Sequence, residues 1–75
     1  MRAVTIRDES IRLGQFLKLA GMADSGSEAK LLLEDEQVRV NEVTETRRGR
    51  RLLIGDKVAV AGDTVEVVAW EATAP

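Results

Sequence analysis

The feature that most constrains the fold of this 75-residue chain is a change in its hydrophobic period at Val38. Upstream of Val38, apolar residues recur three and four positions apart, which is the spacing of one buried helix face. From Val38 onward, apolar and polar residues alternate, which is the spacing of a strand with one buried side. The chain therefore predicts an α+β fold in which helices precede most of the sheet.

A first helix is predicted over residues 11–20, with Ser10 as its N-terminal cap. Its apolar stripe comprises Leu13, Phe16, Leu17 and Ala20. Gly21 is expected to end this helix, because glycine adopts the left-handed conformation at little cost.

The polar side of the first helix carries Arg12, Gln15 and Lys18, and we interpret it as an exposed face. Gly14 lies inside the helix, where glycine costs about 1 kcal/mol relative to alanine. This cost indicates that either a neighbouring segment or a ligand approaches the backbone closely at Gly14.

A second helix is predicted to begin at Ser25, because Ser25 and Glu28 have the spacing of a capping box. Its buried face is expected to comprise Ala29, Leu32 and Leu33. The helix finishes on three carboxylates, residues 34–36, which lie near the negative end of the helix dipole. We therefore expect this end to be exposed to solvent.

Short strands are predicted on both sides of the helices. The first covers residues 4–6, and the later ones cover residues 38–40, 43–46, 57–61 and 64–68. Asn41-Glu42 and Gly62-Asp63 are predicted to form tight turns between neighbouring strands. The fold class is thus α+β, with two consecutive helices packed on a small, mostly antiparallel sheet of four to five strands. Residues 1–75 are expected to form a single domain, with residues 71–75 as a loose tail.

Composition excludes several classes of protein. The chain contains no cysteine, so it has no disulfide and no thiolate metal site. It also contains no histidine, which is the commonest general base at neutral pH. No apolar run approaches the roughly 20 residues needed to span a bilayer. We expect a cytoplasmic protein without catalytic residues, metal ligands, cofactors or a small-molecule substrate.

The charge distribution points to an anionic partner. The run Arg47-Arg48-Gly49-Arg50-Arg51 places four arginines within five residues of a chain whose overall net charge is −2. A concentrated guanidinium patch is typical of surfaces that bind phosphate backbones. The same run is also compatible with a solvated loop, or with a surface that docks on an acidic protein.

Three motifs in this order resemble the S4-type RNA-binding domain, and in particular its small stand-alone bacterial members. They are Leu13-Gly14-Gln15-Phe16-Leu17-Lys18-Leu19, then Ser25-Gly26 with Ala29-Lys30, then Glu45-Thr46-Arg47-Arg48-Gly49-Arg50-Arg51-Leu52. The resemblance covers about residues 11–68. It implies a compact RNA-binding module whose RNA-binding surface combines the start of the second helix, the following hairpin and the basic segment.

Carried over to this chain, the resemblance implies eight RNA-binding residues: Ser25, Gly26, Lys30, Arg39, Arg47, Arg48, Arg50 and Arg51. The chain departs from the family at Glu36 and Glu42, where glycine is frequent in the family. Beside the capping serine, this chain has Gly26 where many S4-type domains have an arginine. The phosphate contact that this arginine makes in those domains is therefore absent here.

The aromatic residues indicate how RNA would be recognised. Phe16 lies on the predicted buried stripe, and Trp70 is the only other aromatic residue. Without a row of aromatic side chains for base stacking, we expect recognition of structured RNA, ribosomal or tRNA-like, through phosphate and shape. The alternative is a protein–protein module whose arginines dock on an acidic partner.

Overall fold

The computed structural model of the protein describes residues 1–70. It contains nine helices and strands, in the order β1 (Arg2–Ile6), β2 (Ser10–Arg12), α1 (Leu13–Leu19), α2 (Gly26–Glu34), β3 (Val38–Val40), β4 (Val43–Thr44), β5 (Arg51–Leu53), β6 (Lys57–Val60) and β7 (Asp63–Ala69). The predicted tail, residues 71–75, lies outside the described residues. Neither helix of the described part is long and apolar enough to cross a membrane.

Five strands form the main sheet, in the order β1-β7-β6-β3-β4. The contacts of β6 with β7 and of β3 with both β4 and β6 are antiparallel, whereas β1 pairs with β7 in parallel. A separate antiparallel ribbon joins β2 to β5. The predicted α+β class, with two consecutive helices on a mostly antiparallel sheet, is therefore confirmed.

The hydrophobic core lies between the two helices and one face of the main sheet. The whole predicted stripe of α1 is buried, as are Ala29 and Leu33 of α2, while Leu32 is half-buried. The sheet contributes alternate residues, Val38, Val40, Val58, Val60, Val65 and Val67. Because this alternation turns every second side chain away from the core, the outer face of the sheet is left to residues such as Arg39.

The predicted start of α1 is wrong by two residues. Ser10 does not cap the helix but belongs to β2, and Arg12 occupies the N-terminal cap position without a side-chain cap. The reason is a partner distant in sequence, because Ile11 pairs with Leu52 of β5. Extended pairing with β5 competes with helix formation here, and sequence near Ser10 carries no sign of it.

Two predicted hairpin details also differ. The turn between β6 and β7 is Ala61-Gly62, one residue earlier than predicted, since Val60 pairs directly with Asp63. Both turn residues have positive φ, as a type I′ hairpin turn requires. The predicted strand over residues 43–46 is shorter, because β4 ends at Thr44 where the chain turns to bury the side chain of Glu45.

Candidate nucleic-acid interface

The arginine segment (residues 47–51) is fixed against the start of α1 by its backbone. The N–H of Leu13 donates to the carbonyl of Arg50 at 2.8 Å, and the N–H of Gly14 donates to the carbonyl of Arg48 at 2.9 Å. These carbonyls satisfy two N–H groups that have no acceptor inside the helix. The carbonyl groups of the arginine segment therefore take the place of the side-chain cap that Arg12 does not provide.

Gly14 makes this contact possible. A Cβ atom at Gly14 would lie 2.5 Å from Cγ of Arg48, which is too close for two carbon atoms. Of the two explanations left open by the sequence, close packing against a neighbouring segment is therefore the one seen in the structure.

A shallow groove of about 320 Å³, here called the basic groove, runs between α1, the start of α2 and the arginine segment. Its polar lining residues include Arg12, Gln15, Lys18 and Arg48, beside Gly26 and Gly49. Sequence reasoning did not include Arg12 or Lys18 among the site residues. The signal in the sequence is their position on the polar side of the predicted first helix, a pattern that is also typical of an ordinary exposed face.

The start of α2 forms one wall of the basic groove. Ser25 Oγ accepts a hydrogen bond from the N–H of Glu28 at 3.1 Å, which confirms the predicted cap. Glu28 Oε1 in turn accepts from the N–H of Asp24 at 3.0 Å. The N–H groups of the first turn of a helix have no acceptor inside it, so Gly26 adds a polar backbone group to this wall.

Lys30 lies on the next part of the same surface. It lines a neighbouring depression together with Thr46 and Arg48. The structure thus brings Gly26, Lys30 and Arg48 to adjoining parts of one surface. Ser25 caps α2 at the edge of this surface.

The carboxylate of Glu45 forms hydrogen bonds with residues of the arginine segment. It is the one buried charged side chain within residues 1–70, with 6% of its surface exposed. Oε2 accepts from the backbone N–H groups of Thr46 and Arg47 and from Arg47 Nε, at 2.9–3.1 Å. Oε1 accepts from Arg47 Nη2 at 3.2 Å and from Arg50 Nη1 at 3.0 Å.

These hydrogen bonds favour the charged form of the carboxyl group. The side-chain hydrogen bond from Arg47 is the largest cause, and together with the backbone N–H of Arg47 and the side chain of Arg50 it lowers the pKa of Glu45 to about 2. Burial acts in the opposite direction but is outweighed. Glu45 is therefore a carboxylate across the physiological pH range, and it shares its charge with two of the four clustered arginines.

Arg39 lies apart from the basic groove. It is exposed between the buried Val38 and Val40, so its side chain projects from the outer face of the main sheet. There it lines a different groove with Asn41, Glu42 and Lys57, and this groove shares no lining residue with the basic groove. The structure therefore does not bring Arg39 together with the arginine segment.

The two aromatic residues are placed as the sequence analysis expects, and they form no platform for base stacking. Phe16 is fully buried. Trp70 is 47% exposed, and the guanidinium carbon of Arg7 lies 4.3 Å from the centre of its ring. One face of Trp70 is thus covered by a cation, and no row of exposed aromatic rings exists in the part of the chain described.

The fold and the motifs that build this surface define the class of protein. The S4 domain family matches residues 4–68, and the chain belongs to that family. This confirms the resemblance drawn from the three sequence motifs.

Two known bacterial proteins are similar to this chain over most of their length. The chain is 48% identical over 59 residues to RlbA, a probable ribosome maturation protein of Bacillus subtilis. This match covers 79% of this chain and 83% of RlbA. It is 39% identical over 59 residues to a putative RNA-binding protein of Escherichia coli, YbcJ, covering 79% and 84%.

The fold is also similar to a solved structure. The solution structure of Escherichia coli YbcJ, described as having an ALFAL motif involved in RNA-binding, superimposes with a TM-score of 0.70 at 34% identity. The match covers 92% of this chain and 89% of that one. The helices and mixed sheet are therefore those of a small S4 protein.

Proposed function

We propose that this protein binds structured RNA, without catalysing a reaction, through the basic groove and the neighbouring arginines. The observation that carries the proposal is the convergence of Arg12, Lys18 and Arg48 on one groove beside the first turn of α2. Guanidinium groups and free helix N–H groups are both suited to phosphate oxygens. The RNA-binding descriptions of similar proteins support the same conclusion.

The surface favours structured RNA over an extended single strand. Single-strand binders stack successive bases on exposed aromatic rings, whereas duplex and folded RNA are recognised through phosphates, 2′-hydroxyls and shape. Here Phe16 is buried and one face of Trp70 is occupied by Arg7. Ser25, Gly26, Lys30 and Arg48 would then contact the phosphate backbone rather than bases.

Ribosomal RNA is the RNA class we propose. The support is the relative in Bacillus subtilis whose description is a probable ribosome maturation protein. A role in ribosome maturation would place this protein in the cytoplasm, where ribosomes are assembled in bacteria. No cofactor is needed for such a role.

The test is a titration of the protein into a labelled folded RNA and into duplex DNA of equal length, followed by fluorescence anisotropy. We expect tighter binding to the RNA, with a slope of log K against log salt of about −3 to −5, corresponding to four to six phosphate contacts. Absence of binding even at low salt would overturn the proposal. The basic groove would then be a candidate docking surface for an acidic protein.

A further inference from the structure

The four arginines of the arginine segment fall into two structural groups. The paired arginines, Arg47 and Arg50, both donate to the buried carboxylate of Glu45, at 3.0–3.2 Å. One carboxylate between two guanidinium groups leaves a net charge of +1. It occupies the Nε and Nη2 donors of Arg47 and the Nη1 donor of Arg50, so each arginine has fewer donors left for a phosphate, although the side chain of Arg47 is 75% exposed. The paired arginines therefore order the segment and contribute a net charge of +1 between them, whereas two arginines without a carboxylate contribute +2.

The other two arginines of the segment, Arg48 and Arg51, have no salt bridge within residues 1–70, and neither has Arg12 of β2. We call these three residues the unpaired arginines. All three are exposed. The stem of Arg48 passes over Gly14, so the start of α1 holds it beside the basic groove.

Two of the unpaired arginines face each other across the β2–β5 ribbon. Arg12 and Arg51 are direct cross-strand partners, while their neighbours Ile11 and Leu52 turn toward the core. The Cβ atoms of directly opposed residues lie about 4.5–5.5 Å apart, so like charges at such positions repel each other and destabilise the strand pair. Arg12 is also tied to the arginine segment, because its Nη1 donates to the carbonyl of Gly49 at 2.8 Å.

A single phosphodiester group would relieve this repulsion. Its two non-bridging oxygens accept hydrogen bonds from separate guanidinium groups, and its negative charge lies between two positive charges. The arrangement of the unpaired arginines thus fits an anion in a way that the arrangement of the paired arginines does not.

We propose that the unpaired arginines contact phosphodiester groups of the bound RNA, with Arg12 and Arg51 sharing one phosphate. The paired arginines instead bind Glu45, which acts as a positioning residue that orders the arginine segment before RNA binds. This inference rests on the proposed RNA binding, and it narrows that binding to particular side chains.

The experiment compares two double variants with the same change in charge, Arg12→Gln/Arg51→Gln and Arg47→Gln/Arg50→Gln. The salt dependence of binding to the folded RNA counts the phosphates that each variant still neutralises. We expect the first variant to reduce the magnitude of the slope by about 1, because Arg12 and Arg51 share one phosphate, and the second to leave it within about 0.5 of the parent value.

Folding is controlled separately, because Arg47→Gln/Arg50→Gln leaves Glu45 buried without its cationic partners. The triple variant Glu45→Gln/Arg47→Gln/Arg50→Gln replaces the whole network by neutral groups and is expected to keep the parent slope as well. If the triple variant and the Arg12→Gln/Arg51→Gln variant lose slope equally, the inference is wrong. If the parent protein itself does not bind RNA, the proposed function fails instead.

The positioning role of Glu45 is tested by the sign of an effect. Glu45→Gln makes the protein more positive, so charge alone would strengthen RNA binding, whereas loss of order in the arginine segment is expected to weaken it about tenfold. Glu42→Gln makes the same charge change at an exposed turn and should bind at least as tightly as the parent. Tighter binding by Glu45→Gln, in a variant shown by circular dichroism to be folded, would contradict a positioning role.

Discussion

Glu42 and Glu45, two glutamates near the arginine segment, have different environments in the structure. In the sequence alone, both are simply negative charges close to the arginines. Glu45 is buried and accepts hydrogen bonds from two backbone N–H groups and two arginines. Glu42 is exposed on the turn between β3 and β4. A carboxylate held by several hydrogen bonds stabilises the folded state only while it remains charged.

This difference predicts how stability depends on pH. The pKa of Glu45 is about 2 in the folded protein, below its ordinary value of 4.5, so its contribution is fully present above about pH 4.5. The contribution is lost as pH falls from about 4.5 through the folded-state pKa of about 2, because over this range the unfolded chain binds a proton that folding must release. We expect the melting temperature of the parent to fall between about pH 4.5 and pH 2 more steeply than that of Glu45→Gln.

Glu42→Gln is the matched control for this measurement. It removes one exposed carboxylate, so its melting temperature should follow the parent curve with pH. Thermal unfolding followed by circular dichroism at several pH values would provide both curves. Parallel curves for the parent and Glu45→Gln would show that Glu45 contributes no charge-dependent stability.

At the scale of elements, the hairpin between β3 and β4 combines a favourable and an unfavourable turn residue. Asn41 (φ 51°) and Glu42 (φ 71°) both adopt positive φ. Asn41 fits this position well, since its amide donates to Asp56 Oδ1 at 3.1 Å and its Oδ1 accepts from the N–H of Lys57 at 3.0 Å. Glu42 has no such compensation among the described hydrogen bonds, and a left-handed conformation costs a non-glycine residue about 1–2 kcal/mol.

Replacing Glu42 by glycine should therefore stabilise the fold. Part of the gain is offset by the greater freedom of glycine in the unfolded chain, so we expect a net increase of about 0.5–1 kcal/mol. For a domain of this size, that corresponds to a rise in melting temperature of about 2–8 °C.

Glu42→Ala and Glu42→Gln separate backbone conformation from charge. Both remove the carboxylate but keep a Cβ atom, so neither should approach the stability of Glu42→Gly. Equal stabilisation by all three variants would assign the effect to charge rather than to the turn.

At the scale of the whole molecule, the two sheets and both helices share one core. Leu52 of β5 is buried in the same cluster as Leu13 of α1 and Val65 of β7, and Ile11 of β2 packs against it. The parallel pairing of β1 with β7 brings the first strand of the chain next to the last one. No element among residues 1–70 has a separate core that could remain folded alone.

The shared core predicts that the protein unfolds in one cooperative step. The fluorescence of Trp70, which reports on the end of β7, and far-ultraviolet circular dichroism, which reports on α1 and α2, should give coincident denaturant transitions. Coincidence would support the prediction that residues 1–75 form a single domain. Two separate midpoints would show that the β1–β7 edge unfolds independently of the helices.

Several features of this protein were determined by local sequence. The stripe of α1, the capping box at Ser25 and the alternation after Val38 depend on residues at most a few positions apart, so periodicity and capping chemistry predict them directly. The positive charge of residues 47–51 is likewise a property of the sequence alone. These features were sufficient for the fold class and for the family.

Tertiary structure decided what those residues do. Ser10 became part of a strand because Ile11 pairs with Leu52, and Gly14 is required because Arg48 passes over it. Arg47 is paired and Arg48 is not, because the buried carboxylate of Glu45 accepts hydrogen bonds from Arg47. Such outcomes arise from contacts between distant parts of the chain, whose geometry exists only once the core has formed and is therefore not encoded in any local pattern.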